Sequence, residues 1–405
     1  MGMHMLHRGL GCWAVLLATT FSSLVADDIP KLEFIGTFSL PSEAADLSGD
    51  TKLLENGEPR NRLGGFSALD YSSETQLLAA LSDRGPDDGA VGYPCRIQLF
   101  EIAIQPGTAQ PVTLKLAKTV LFTDAQGRPY TGSSAAIDAT VEVGHRLDPE
   151  GVRFGPDGLM YVSDEYGPEV IGFNTGGREQ RRFVTPSHLH VAHSDANKVK
   201  EIRGNTSGRA SNRGMECLAL SHDRKSLVGL MQSPLIQDGT LTAQDAVEGR
   251  NCRIVEIELS TGAIHEFVYQ MASPQHGNSE IVAYGPSEFL VLERDSKTGS
   301  KAAYRRLIRI DIHNATDVAS MDQIPSGELP ANIVPVSRSE FLDFLDPSWQ
   351  LAGDTMPEKI EGLTFGPKLA DGRDTLLVST DNDFEPSNPS WIWVFATSSN
   401  MNAEK

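Results

Sequence analysis

The chain has 405 residues, 40% of them hydrophobic and 22% charged, which is ample for a large buried core. Lysine and arginine number 35 against 54 acids, a formal net charge of −19 at pH 7. That balance argues against nucleic acid as a partner, and it repels a polyanionic substrate at long range unless a cation or a local arginine cluster reverses the field.

Residues 1–26 read as a signal peptide. His4, His7 and Arg8 precede an apolar run over residues 10–25, and a cleavage site follows Ala26, before Asp27 and Asp28. The run is short for a membrane span, and no later segment qualifies as one. The mature chain, 27–405, is therefore expected to be exported, periplasmic or extracellular, with no stable membrane span. Cys12 leaves with the signal. Cys95, Cys217 and Cys252 remain, and an odd number gives no disulfide framework.

Residues 31–40, KLEFIGTFSL, alternate apolar and polar side chains and predict a lone strand. Residues 42–62 are a turn-rich loop. One motif then recurs: an apolar strand, a turn, a second apolar strand and a polar end. The clearest copy is residues 148–173, where Gly155-Pro156-Asp157-Gly158 makes the turn and Asp164-Glu165-Tyr166 closes the second strand. Other copies begin near Gly64, Gly214, Ser279 and Lys359. Third strands share a basic-apolar start at Arg96-Ile97, Arg253-Ile254 and Arg306-Leu307. Residues 185–213 read as a polar insertion, and residues 317–351 as an irregular stretch with room for a fourth strand and a short helix at 339–345.

Recurrence at roughly 65 to 85 residues suggests propeller blades with insertions. A lone sheet cannot bury both faces; sheets packed around an axis can, and they leave only short edges. The fold class is therefore all-β, a β-propeller with five visible blades. A sixth is conceivable from residues 175–213 or 313–355, and the alternative is an array of sandwiches. The last copy has three strands and residues 31–40 have no sheet, so the N-terminal strand is expected to close the last blade. Cys95 and Cys252 then occupy matching places in non-adjacent blades, too far apart for a disulfide.

In a propeller the first strand of each blade lines the channel. Ser67, Glu150, Glu216, Glu280 and Glu361 begin those strands and are expected at one mouth. Carboxylates converging on an axis hold protons or recruit a cation. A hard, all-oxygen donor set suits Ca²⁺ ahead of Zn²⁺. The ends of the second strands add Asp83-Arg84, Asp164-Glu165, Glu293-Arg294 and Asp381-Asn382-Asp383 to the same face. The candidate metal ligands are thus Glu150, Glu216, Glu280, Glu361, Asp164, Glu165, Asp381 and Asp383. The candidate catalytic residues are Glu150, Glu216, Glu361, Arg84, Arg213 and Arg294. The arginines either grip an anionic group in two-pronged fashion or merely neutralise the acids. Equally, the glutamates could cap backbone amides between blades. His188, His190 and His193 lack further ligands at metal spacing. No nucleophile elbow, phosphate loop or dinucleotide fingerprint is present.

The runs DPEGVRFGPDGLMYVSDEYGP, NRGMECLALSHDRKSLVGLMQSPL, RIVEIELSTG, FLVLERD, KIEGLTF and STDNDF together resemble the phytase-like family described as "esterase-like activity of phytase". The resemblance spans residues 64–395. It implies an exported β-propeller and hydrolysis of phosphate or carboxylic esters. Glu150, Glu216, Glu361 and Glu293-Arg294-Asp295 fall on the shared motifs. Met215-Glu216-Cys217 departs from the pattern, which has an aromatic before the glutamate and glycine after it.

The first reading is thus an exported hydrolase of a small-molecule ester or phosphate ester, with an acidic, Ca²⁺-binding channel mouth. A second is a non-catalytic propeller that binds a glycan, lipid or protein. A third is a metal-dependent, lactonase-type propeller.

Overall fold

Five four-stranded antiparallel sheets account for the repeated units. They are seen in a computed structural model that describes residues 1–2, 31–137 and 145–397. Apart from its first two residues, the expected leader lies outside the described residues. The first blade is Phe66–Ser72, Leu77–Ser82, Arg96–Ile104 and Val112–Leu121, in that order outward. The second is Pro149–Phe154, Met160–Asp164, Val170–Phe173 and Glu179–Phe183. The third is Met215–Leu220, Ser226–Met231, Asn251–Glu258 and Ile264–Gln270. The fourth is Gly277–Ala283, Glu288–Arg294, Arg305–Asp311 and Ser337–Asp343. In the fifth, Ile360–Phe365, Thr375–Thr380 and Ser390–Thr397 are followed outward by Leu32–Leu40, which pairs from Leu32↔Thr397 to Leu40↔Ser390.

The innermost strands neighbour one another in sequence order, and the fifth returns to the first, so the ring closes at five blades. The insertions complete blades rather than add one. Glu179–Phe183 is the outer strand of the second blade, and Ser337–Asp343 that of the fourth. The short helix expected at 339–345 is therefore a strand over most of its length. Phe341 and Leu342 are drawn into the core between the fourth and fifth blades, and that burial outweighs the local helical spacing.

Each blade interface has its own apolar core. Leu81 and Ile97 meet Val152 and Val162 between the first and second blades. Tyr161 and Val170 meet Leu218 and Val255 between the second and third. Corresponding clusters fill the remaining three junctions. Fully burying each such aliphatic side chain contributes about 1.5–3 kcal/mol, so the ring rests on blade packing. Cys95, Cys217 and Cys252 belong to these cores as buried free thiols.

Two features of the inner strands position the site. The first is a break in register near the start of each strand. It falls at Ser67, at Glu150-Gly151, at Glu216, at Ser279 and at Glu361-Gly362. An extra residue of this kind re-aims its side chain out of the regular alternation. The second is Arg153, buried on the axis. Its guanidinium donates to the carbonyls of Leu69 (2.8 Å), Val152 (2.5 Å), Ile281 (2.7 Å) and Leu363 (3.3 Å), and pairs with Glu280 at 3.1 Å. Arg153 thus ties four blades together and fills the channel below the mouth.

Candidate functional site

The register breaks turn Glu150, Glu216 and Glu361 toward one point. Ligand oxygens of these three lie within 4.8 Å of one another. Asp148, Glu150 and Glu165 form a second such group, and all five residues are buried. The two groups share Glu150. A cavity of about 120 Å³ opens onto them, lined by seven carboxylates and four cationic side chains. Among the described residues, the Glu150 and Glu216 carboxylates have neither a hydrogen bond nor an ion pair. Glu361 accepts one from Arg294 at 2.7 Å.

Electrostatics follow from this crowding. Burial, then Glu216 and Asp148, holds the Glu150 carboxyl well above the usual range. Burial, then Glu165 and Glu361, does the same for Glu216. Glu165 is pushed up to about 7 by burial and Asp148, against the pull of Arg84. Glu361 is also raised by burial, with Lys359 and Arg294 opposing. Such a cluster takes up protons or a cation. Its donors are all hard oxygens and two of its carboxylates are uncommitted, so the chemistry fits a divalent cation of the Ca²⁺ type.

Not every expected residue joins it. Glu280 does not. In the fourth blade the register break falls on Ser279, so Ser279 is the counterpart of Glu216, and Glu280 lies one residue deeper. Its carboxylate accepts from the Leu218 and Ile281 amides at 3.0 and 2.9 Å and meets Arg153. Asp164 instead caps backbone, accepting from the amides of Asp148, Tyr166 and Gly167 at 3.0–3.1 Å. Asp383 binds Lys359 at 2.5 Å and stands outside the cavity lining. Asp381 lines the cavity, held by Lys359 at 2.8 Å. The Tyr166 hydroxyl donates to the Gly132 carbonyl at 2.8 Å.

The three arginines separate. Arg84 is committed to Asp148 and Asp88, each at 2.6 Å. Arg294 donates to Ser279 and Glu361 at 2.8 and 2.7 Å. Both therefore neutralise acids. Arg213 lines the cavity and, among the described residues, its guanidinium has no partner. It is the arginine left to meet an anionic group.

Lys359 and Asp148 were missing from the expected set. Lys359 is buried; burial alone would lower its pKa, but Asp381 and Glu361 hold it well above its usual value. Both residues stand within two positions of an expected glutamate, and that adjacency was the available signal. His188 and His190 bond separately to Glu266 (2.9 Å) and Thr185 (2.9 Å) and form no shared site.

Close backbone approach holds the mouth together at Gly214. A Cβ there would stand 2.1 Å from the Glu165 carbonyl oxygen. Gly214→Ala is expected to cost ~1–3 kcal/mol through forced backbone displacement, read as a lower urea midpoint with unchanged slope.

An uncharacterized secreted protein of Arthroderma benhamiae is 27% identical over 397 residues, covering 76% of this chain and 75% of that protein. Among solved structures, a selenomethionine-substituted virginiamycin B lyase from Staphylococcus aureus has 12% identity and a TM-score of 0.32, over 90% of this chain and 99% of that one. A streptogramin B lyase has 12% identity and a TM-score of 0.31, over 91% and 98%. The profile of the phytase-like family, described as esterase-like activity of phytase, matches residues 61–384, and the chain belongs to that family.

Proposed function

We propose that the protein is an exported hydrolase of a small-molecule ester, phosphoric or carboxylic, working at a cation held in the channel mouth. The observation that carries this reading is the convergence of Glu150, Glu216 and Glu361 within 4.8 Å, two of them uncommitted, beside an unpaired Arg213. Family membership supports the reaction class. The leader-like residues 1–26 and the secreted relative support export.

Glu150, Glu216 and Glu361 would hold the cation, with Glu165 and Asp148 as the second carboxylate group. Bound there, a divalent cation of the Ca²⁺ type supplies Lewis-acid polarisation of an ester oxygen. Arg213 binds the oxyanion of the substrate by two-pronged hydrogen bonding. Arg294 and Lys359 hold Glu361 and Asp381 in place. Arg153 fills the channel beneath, so substrate and product share one mouth.

Glu150→Gln and Glu361→Gln are each expected to lower kcat/KM on a responsive ester by ~10²-fold or more, the loss of one charged stabilising group. A chelator should reproduce the loss and added Ca²⁺ reverse it. Full activity in both variants, insensitive to chelator, would overturn the cation reading and leave glutamates that only pack.

A further inference from the structure

Beside the acidic mouth lies a larger cavity of about 320 Å³. Its walls come from outside the blade sheets: the helix Lys198–Gly204, the short ladder Thr240–Leu241 with Val247–Glu248, and residues 274–276. Val199, Ile202, Val247 and Pro274 give it apolar surface. Arg213 lines both this cavity and the acidic one.

His276 stands at their junction. It lines the larger cavity, while its neighbour Gly277 lines the acidic one. A Cβ on Gly277 would lie 3.3 Å from the Arg213 guanidinium, so that cation sits against the backbone next to His276. The imidazole is held from behind. Its Nδ1 meets Glu293 Oε1 at 2.7 Å. Glu293 is fully buried and also accepts from the Tyr269 hydroxyl (2.5 Å), the Ala272 amide (2.8 Å) and Arg338 (2.9 Å). With donors on both carboxylate oxygens, Glu293 serves His276 as an acceptor and fixes the proton on Nδ1. In the neutral ring this tautomer puts the lone pair on Nε2. The ring also packs on Tyr304, with centroids 4.2 Å apart. Among the described residues Nε2 has no partner. A base, its orienting carboxylate and an unpaired cation thus lie where two cavities adjoin, components of a hydrolytic site.

We propose that His276 is the general base of the ester hydrolysis, with Glu293 as its positioning residue, Arg213 on the reacting oxyanion and the carbon skeleton of the substrate in the larger cavity. This rests on the hydrolase reading. His276 Nε2 takes a proton from water as the water oxygen bonds to the acyl carbon or phosphorus. The bond to the leaving oxygen breaks, and that oxygen takes the proton back from the imidazolium. Ester and water become acid and alcohol with no change of oxidation state.

The test uses the full mature chain with nitrophenyl acetate and nitrophenyl phosphate as probes. His276→Asn should lower kcat by ~10²–10⁴-fold, leaving KM and the Ca²⁺-dependent rise in Tm as in the wild type. In His276→Gly, added imidazole should restore turnover above the rate it gives without protein, which a packing role would not allow. Glu293→Gln should lower kcat at unchanged KM. Full kcat in His276→Asn while Glu150→Gln is inactive overturns the proposal and leaves the hydrolase reading standing. No turnover of either probe by the wild type overturns both.

Discussion

Replacing Arg153 with alanine is expected to lower the unfolding free energy by about 3–5 kcal/mol, the range for stripping one partner from a buried ion pair. The loss has two parts. Glu280, whose carboxyl burial already pushes up to about 8, loses its cation. The carbonyls of Leu69, Ile281 and Leu363 lose a donor in a place closed to solvent. Because these carbonyls belong to the first, fourth and fifth blades, the whole ring should loosen rather than one sheet. Thermal and urea unfolding would both show it. Adding Glu280→Gln should recover part of the loss, since the buried carboxyl left without its cation is then gone. A change below ~1 kcal/mol would reduce Arg153 to an ordinary buried side chain.

Stability should also depend on pH and divalent cation together. The Glu165 carboxyl titrates near 7 in the folded protein, and Glu150 and Glu216 are raised well above the usual range. An unfolded chain releases those protons near pH ~4.3. The folded state therefore binds more protons between the two values. The contribution of these groups is fully present below the unfolded value and is lost as pH rises through about 7. Without cation, Tm should fall from about pH 5 to about pH 8. Ca²⁺ replaces the protons, so its stabilising effect should grow over the same window, reaching about 2.7 kcal/mol at a hundredfold excess over Kd. Scanning calorimetry at several pH values, with Ca²⁺ and with chelator, checks both signs. A Tm indifferent to pH and Ca²⁺ would leave the mouth with no titrating cluster.

The blades were legible because their first two strands are short apolar runs separated by strong turn residues, and that grammar needs no tertiary information. The fold at 339–345 was not, because Phe341 and Leu342 answer to a neighbouring blade rather than to their own spacing. At the site, Glu150, Glu216 and Glu361 could be read from their place before each inner strand. Glu280 could not be separated from them. A single extra residue decides which of Ser279 and Glu280 faces the mouth, and a register break leaves no mark in composition. Arg153 was hidden for a similar reason: in VRF it looks like the polar member of an alternating strand. Arg84 and Arg294 were found with two roles open, gripping an anion or neutralising acids; the choice between them was hidden, since pairing with Asp148 and Glu361 depends on side chains brought together from different blades. The commitment of His276 to Glu293 is likewise invisible to spacing alone.

The pairing of Leu32–Leu40 with Ser390–Thr397 sets the order of assembly. The strand made first has its partner at the far end of the chain, so it must wait, unpaired, while the other blades form. Bringing such distant segments together carries a large loop-closure cost before any contact rewards it. Closure of the last blade is therefore the natural slow step of folding. Until it is complete, two apolar edges stay open to other chains, and a shortage of time or an excess of protein at that stage would favour exchange of this strand between molecules.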